Sequence, residues 1–142
     1  MAYKKLDEIK KKIPQWIDQG FKSKRDMDLI ENFGKYLADA RTTKWGGWEA
    51  GRNAISTSQI RIAYGEVTRL KMQFDETAML MLRPKMAYAA SRQSGDTYKD
   101  LQIVITEGIN SIANSDNKKP AFNNLANIFE AMLAYHKAYG GK

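Results

Sequence analysis

The chain offers few of the residue types from which enzymes build catalytic or metal centres. His136 is the only histidine, it lies at the edge of an apolar helical stripe, and there is no cysteine. No pair of carboxylates stands at helical spacing with a histidine, as a di-metal helical bundle requires. Gly46 and Gly47 are not followed by the lysine–hydroxyl pair of a phosphate-binding loop. We therefore expect no catalytic residue, no metal ion and no cofactor, and we interpret His136 as a packed histidine.

Basic residues on two neighbouring segments are better candidates, because arginine forks bind phosphate oxygens at two points. Arg61 and Arg69 are eight residues apart, so two helical turns return them to one sector, opposite the apolar stripe of their helix. Lys85, Tyr88 and Arg92 are spaced i, i+3 and i+7 on the next helix, again away from its core positions. Arg83, beside Pro84, adds one more cation. The candidate phosphate-binding residues are therefore Arg61, Arg69, Arg83, Lys85, Arg92 and Tyr88.

These side chains would share one surface if the two helices pack antiparallel, as their short connection implies. Acidic residues are sparse on the two basic faces, and Glu66 is expected to lie elsewhere. The pattern contains no set of side chains that would read base edges, so it predicts nucleic-acid binding without sequence preference. Residue pattern alone leaves two interpretations open, a phosphate-binding surface or a solvated face whose arginines pair with neighbouring acids.

Helices must position these residues, since apolar residues recur at helical spacing along nearly the whole chain. The first stripe, from Leu6 to Ile17, is interrupted by Pro14, where we expect a kink or a restart. The further helices are expected over residues 24–41, 58–74, 76–93, from 96 or 97 to 112, and from just after Pro120 to the Gly140–Gly141 pair. The predicted fold class is all-α, a single compact bundle of five or six helices forming one domain over residues 1–142.

Residues 42–56 are the longest stretch expected to be irregular, because a central glycine pair argues against a helix. Trp45 and Trp48 within it have two possible roles, stacking on a nucleic-acid base or pinning this long loop to the core.

Composition narrows the class of partner. The formal net charge is +7, which favours polyanions without proving one. No apolar stretch approaches the length of a membrane span, and the N-terminal lysines are not followed by the apolar segment of a secretory signal. We expect a cytoplasmic protein with no membrane partner.

Three stretches, in this order and at this spacing, carry a family resemblance: residues 55–61 with 67–70, residues 82–92, and residues 129–139 followed by Gly140, Gly141 and Lys142. Together they resemble the small subunit of type III-A CRISPR effector complexes, the second Csm subunit, most clearly over residues 55–142. Gln59 departs from the pattern, because relatives often carry lysine at that position.

The resemblance implies an all-α protein without nuclease activity, several copies of which stack head to tail beside the backbone subunits that hold the guide RNA. Cleavage of target RNA and of DNA would belong to the backbone and large subunits. Matching positions imply that guide and target RNA are contacted by Arg61, Arg69, Arg83, Lys85 and Arg92, with Tyr88 supporting them or packing between helices.

The resulting hypothesis is a non-catalytic, RNA-binding scaffold subunit that acts in defence against viruses and plasmids. The alternative is a purely structural helical adaptor whose basic face binds acidic protein surfaces. The small subunit of the sister type III-B complex would look similar at the level of these patterns.

Overall fold

The structure, a computed structural model, describes residues 5–93 and 95–141; residues 1–4, Ser94 and Lys142 lie outside these ranges. The described residues confirm the all-α class and form six helices with one short hairpin. The helices are α1 (Leu6–Gln19), α2 (Lys24–Leu37), α3 (Thr57–Met72), α4 (Glu76–Ser91), α5 (Thr97–Ala113) and α6 (Lys118–Ala138), and the hairpin strands are β1 (Arg41–Thr42) and β2 (Trp48–Glu49).

Side chains just before three helices determine where those helices begin. Ser23 accepts a hydrogen bond from the Asp26 amide at the start of α2, and Asp75 accepts one from the Ala78 amide at the start of α4. Ser56 and Gln59 form a reciprocal capping box at the start of α3. Each cap satisfies an amide that has no partner within its helix, a contribution of about 1 kcal/mol.

All three prolines lie inside helices. The first helix continues through Pro14 without a restart, and α4 continues through Pro84. The prediction that the last helix begins after Pro120 is wrong, since α6 begins at Lys118. A proline in the first helical turn is tolerated because its missing amide would have had no partner within the helix.

A hairpin occupies part of the stretch expected to be irregular. Helix α2 ends at Leu37 rather than Arg41, and the chain then turns at Asp39, whose φ is 45°. Arg41 pairs with Glu49, and Thr42 pairs with Trp48, in antiparallel register. Two-residue strands carry too little periodicity to be detected from a sequence.

The C-terminal helix α6 is the central packing element and contacts α1, α2, α3 and α5. Its fully buried side chains include Phe122, Leu125 and Phe129, which join one continuous hydrophobic cluster with residues of the other helices. The closest approach is to α2, where a Cβ on Gly34 would lie 2.5 Å from the Cβ of Tyr135. Glycine at this position therefore permits the two helices to approach each other so closely.

Helices α3 and α4 cover two neighbouring sides of this core. Helix α3 packs on α6 through residues such as Ile60 and Val67, whereas α4 packs on α5 through Met79, Leu82 and Met86. Their opposite sides remain exposed to solvent. The candidate residues lie on these exposed sides. Packing of the core therefore fixes the helices that carry them, while their own side chains stay outside the core.

Candidate nucleic-acid interface

All six predicted residues have exposed side chains on α3, on α4 or at the end of α4. These are Arg61, Arg69, Arg83, Lys85, Tyr88 and Arg92. The two helices are antiparallel, as expected, because the first turns of α3 lie beside the last turn of α4. A second contact in the middle of the pair, between Glu66 and Lys85, confirms the same orientation.

A cleft between these helices, which we name the α3–α4 cleft, gathers only part of the set. Its bordering residues are Gln59, Ile62, Glu66, Arg69, Lys85, Tyr88 and Arg92. Four of the six predicted residues therefore come together. The other two, Arg61 and Arg83, lie on the outer flanks of the same helix pair.

Helix geometry explains the separation of the two flanking arginines. Arg61 precedes Ile62 by one residue, so its side chain points about 100° away from the side of α3 that meets α4. Arg83 and Pro84 border a different groove of about 500 Å³, between α4 and α5. Neither arginine makes an ion pair with any other residue that the structure describes.

Glu66 corrects one expectation, because it lies inside the cleft instead of elsewhere. Its carboxylate forms an ion pair with Arg69 on its own helix, and its second oxygen lies 3.6 Å from the Lys85 Nζ on α4. Two candidate cations thus share one partly buried carboxylate. Exposed ion pairs of this kind contribute about 0–1 kcal/mol, so a polyanion can replace Glu66 at little cost.

Tyr88 and Arg92 form a contact of their own at the other end of the cleft. The Arg92 Nη1 donates a hydrogen bond of 3.2 Å to the Tyr88 hydroxyl, and the guanidinium carbon is 5.6 Å from the ring centroid. The contact spans one helical turn and restrains both side chains while leaving them exposed. No acid is among the described residues that line this end of the cleft.

Exposed apolar side chains on the same helices were missed by the sequence reasoning. Ile62 is 74% exposed and Met72 is 81% exposed, and Leu80 and Met81 are also open to solvent. The sequence does place these apolar residues in the polar sectors of α3 and α4, between the basic residues, and that position could have identified them as exposed. Single exposed apolar residues are common, which explains why each alone was uninformative.

The C-terminal signature has a structural role. His136 is fully buried, and its Nε2 donates a hydrogen bond of 2.7 Å to the Ile55 carbonyl. Burial is the main cause that lowers the pKa of His136, and the hydrogen bond acts in the opposite direction. The Tyr139 hydroxyl donates to Glu31 at 2.6 Å, and Phe129 is buried. The expectation that His136 is a packed histidine is confirmed.

The two tryptophans of the hairpin take different roles. Trp48 packs edge-on against Tyr139 with centroids 4.9 Å apart, and the Lys35 Nζ lies 4.3 Å from its ring centroid. Trp48 therefore pins the hairpin to α6 and α2. Trp45, at the hairpin tip, is 92% exposed, so it does not pin the loop.

Two kinds of feature were sought among the described residues and not found. Among them there is no group of three or more histidine, cysteine, aspartate or glutamate side chains arranged to hold a metal ion. Of the helices in the described ranges, none combines the length and the apolar character needed to cross a membrane.

Comparison with models of known protein families shows to which family the chain belongs. The family model described as Csm2 Type III-A matches residues 32–142, which is most of the chain. The chain belongs to the Csm2 family. Csm2 proteins are subunits of the type III-A CRISPR complex, so this chain is a small subunit of that class. The match begins inside α2 and includes the hairpin, the α3–α4 cleft and the signature on α6. Neither the curated proteins nor the solved structures gave a significant match.

Proposed function

We propose that this Csm2 family protein is a non-catalytic scaffold subunit that binds guide and target RNA through the outer surface of α3 and α4. The observation that carries the proposal is the charge of that surface. Five cations lie on or beside it: Arg61, Arg69, Arg83, Lys85 and Arg92. The carboxylates that the structure describes on this helix pair are Glu66, which lies between two of the cations, and Asp75 and Glu76 at the turn between the helices. Such an excess of exposed positive charge is suited to a phosphate backbone.

The mechanism is contact with phosphates irrespective of sequence. Arg69 and Lys85 exchange their shared carboxylate for phosphate oxygens, while Arg61 and Arg83 approach the backbone from the two flanks. Phosphate contacts position a nucleic acid without reading it. Base pairing between guide and target supplies the specificity, as in other RNA-guided effectors.

The family relationship supports the remaining parts of the proposal. The subunit acts as one domain over residues 1–142, in the cytoplasm, in several copies stacked along the RNA beside the backbone and large subunits. It contributes no catalytic group. His136 fits this view because it is buried and hydrogen-bonded to Ile55 instead of facing a cleft.

The experiment measures RNA binding to the full-length chain at several salt concentrations. The triple variant R61A/R69A/R92A removes three exposed cations and is expected to fold normally. Each phosphate contact contributes roughly 0.7 to the slope of log affinity against log salt for single-stranded RNA. We expect the variant to bind about ten- to a hundredfold more weakly at low salt, with a slope shallower by about 2.

A matched control removes the same charge elsewhere. Lys11, Arg25 and Lys99 are exposed on α1, α2 and α5, and the variant K11A/R25A/K99A should change binding much less. A wild-type affinity that does not respond to salt, or equal losses in the two triple variants, would contradict the proposal.

A structural adaptor is the second candidate, and the exposed apolar residues of α3 and α4 favour it. Ile62, Met72 and Leu80 expose apolar side chains to solvent, and a protein partner could cover them. The adaptor predicts association with the other complex subunits that survives nuclease treatment. It also predicts that the triple variant R61A/R69A/R92A loses protein partners while its affinity for RNA is unchanged.

A further inference from the structure

The α3–α4 cleft ends in a hollow whose apolar walls phosphate binding does not use. It has a volume of about 240 Å³ and lies between the first turns of α3 and the last turn of α4. Its principal lining residues are Gln59, Ile62, Tyr88, Arg92, Gln93 and Tyr98. Pockets for drug-sized ligands hold roughly 300–1,000 Å³, so this hollow accommodates one small planar group.

The walls of the hollow are apolar, and one of them is an aromatic ring. Tyr88 is 64% exposed and stands opposite Ile62, which projects from α3. Tyr98 closes the base, where it is buried with its hydroxyl 3.9 Å from the Met86 sulfur. An exposed ring facing an aliphatic side chain forms a slot suited to a flat π-system.

The rim carries donors, and none of the described residues that line it is acidic. Gln59 uses its Oε1 to accept the Ser56 amide in the capping box, so its amide nitrogen remains available to donate. Among the described residues, that nitrogen has no hydrogen-bond partner. Arg92 is held at the rim by its contact with the Tyr88 hydroxyl. Donors above an apolar slot match the carbonyl and ring-nitrogen acceptors that all nucleobases present.

We propose that this hollow binds one unstacked nucleobase of a single-stranded RNA segment, stacked on Tyr88. The proposal rests on the proposed RNA-binding function and assigns it a base subsite beside the phosphate contacts. The surrounding charge favours this occupant over a protein side chain, because Arg92 lines the hollow and two further cations, Arg69 and Lys85, lie beyond it around Glu66. A strand whose phosphates meet those cations brings a base to the slot.

The test compares two RNA oligomers of equal length in binding to the full-length chain. One is a short single-stranded homopolymer, and the other is the same ribose-phosphate chain without bases. Both can contact the cations, but only the first can fill the hollow. Stacking of a base on an aromatic side chain is worth about five- to a hundredfold in affinity. We expect the wild type to bind the base-containing oligomer about tenfold more tightly.

Three variants locate this difference. Y88A should reduce the tenfold preference to nearly none, and any loss that it causes by freeing Arg92 should be equal for the two oligomers. Y88F keeps the ring and should retain most of the preference. M81A removes an exposed apolar side chain of the same helix, outside the lining of the hollow, and should behave like the wild type. A photoreactive 5-iodouridine in the oligomer should cross-link to Tyr88.

The outcomes separate the two proposals. Equal wild-type affinities for the two oligomers, with both falling as salt rises, would overturn the base subsite and leave the proposed function intact. No binding of either oligomer would overturn both. A Y88A variant that keeps the preference for bases but no longer joins the complex would assign the hollow to a protein partner and overturn the subsite.

Discussion

The seam between α2 and α6 and the outer surface of α3 and α4 both lie within the residues that match the Csm2 family, yet they differ in what their side chains do. At the seam, Gly34 meets Tyr135, and His136 is buried against Ile55. On the outer surface, Tyr88 and Arg61 are exposed. The family's sequence pattern therefore includes residues that build the fold and residues that the fold leaves available.

Because the two regions differ in this way, substitutions in one should affect folding stability and substitutions in the other should affect binding. Substitutions at the seam should change the free energy of unfolding, because packed interiors have no space for additional atoms. Substitutions on the outer surface should leave stability within about 0.5 kcal/mol and change only affinity for a partner. Three predictions test that separation.

The largest expected effect on the free energy of unfolding comes from replacing one glycine by alanine in each of the two regions. In Gly34→Ala the new Cβ would lie 2.5 Å from the Tyr135 Cβ and 3.0 Å from the Met132 carbonyl oxygen. Overpacking of this kind costs about 1–3 kcal/mol, and relief would require α2 and α6 to move apart. We expect the midpoint of urea unfolding to fall by a corresponding amount.

The matched substitution is Gly65→Ala on the exposed side of α3. Apart from the adjacent residues and the nearby backbone of α3 itself, no described atom lies within 4 Å of the new Cβ, and alanine is the better helix former by about 0.5–1 kcal/mol. G65A should therefore stabilise the protein while G34A destabilises it. A G34A variant that is as stable as the wild type, or stabilised like G65A, would show that the seam is not packed as described.

The sequence predicted the helices because they have apolar stripes, and some also have a recognisable cap, as in α3 with Ser56 and α4 with Asp75. It did not predict the hairpin, whose strands are too short for periodicity. It identified exposed cations correctly as exposed, since each lies off an apolar stripe. It could not place Glu66 between Arg69 and Lys85, because that arrangement depends on how two helices rotate against each other.

The second prediction concerns pH and belongs to the seam. Burial lowers the pKa of His136 in the folded protein below its ordinary value of 6.5. The unfolded chain then takes up a proton at a higher pH than the folded one, so stability is complete above about pH 6.5 and falls as the pH decreases through that value. The slope from one such group cannot exceed about 1.4 kcal/mol per pH unit.

Urea unfolding of the wild type and of His136→Gln, followed from about pH 7 to pH 5.5, measures this contribution. Glutamine can keep a donor toward the Ile55 carbonyl but does not titrate. The variant should be less stable than the wild type at neutral pH and should lose less stability on acidification. Parallel pH profiles for the two proteins would mean that His136 does not titrate differently on folding.

The smallest expected effect tests the outer surface. Glu66→Gln removes the carboxylate that Arg69 and Lys85 share, so both cations become available to phosphates without first breaking an ion pair. The exposed pairs are worth at most about 1 kcal/mol, which limits the gain in RNA affinity to a few-fold. Stability should change little, and fluorescence anisotropy with a short labelled RNA would detect the gain.

Asp28→Asn provides the control for charge alone, because it removes a carboxylate paired with a single lysine, Lys24, on α2. Both variants raise the net charge by the same amount, so a nonspecific effect would strengthen RNA binding equally in the two. A gain confined to E66Q would place the RNA backbone at the α3–α4 cleft. A loss of affinity in E66Q would instead mean that Glu66 holds its two cations in the geometry that RNA needs, and that the ion pairs organise the surface rather than compete with RNA for it.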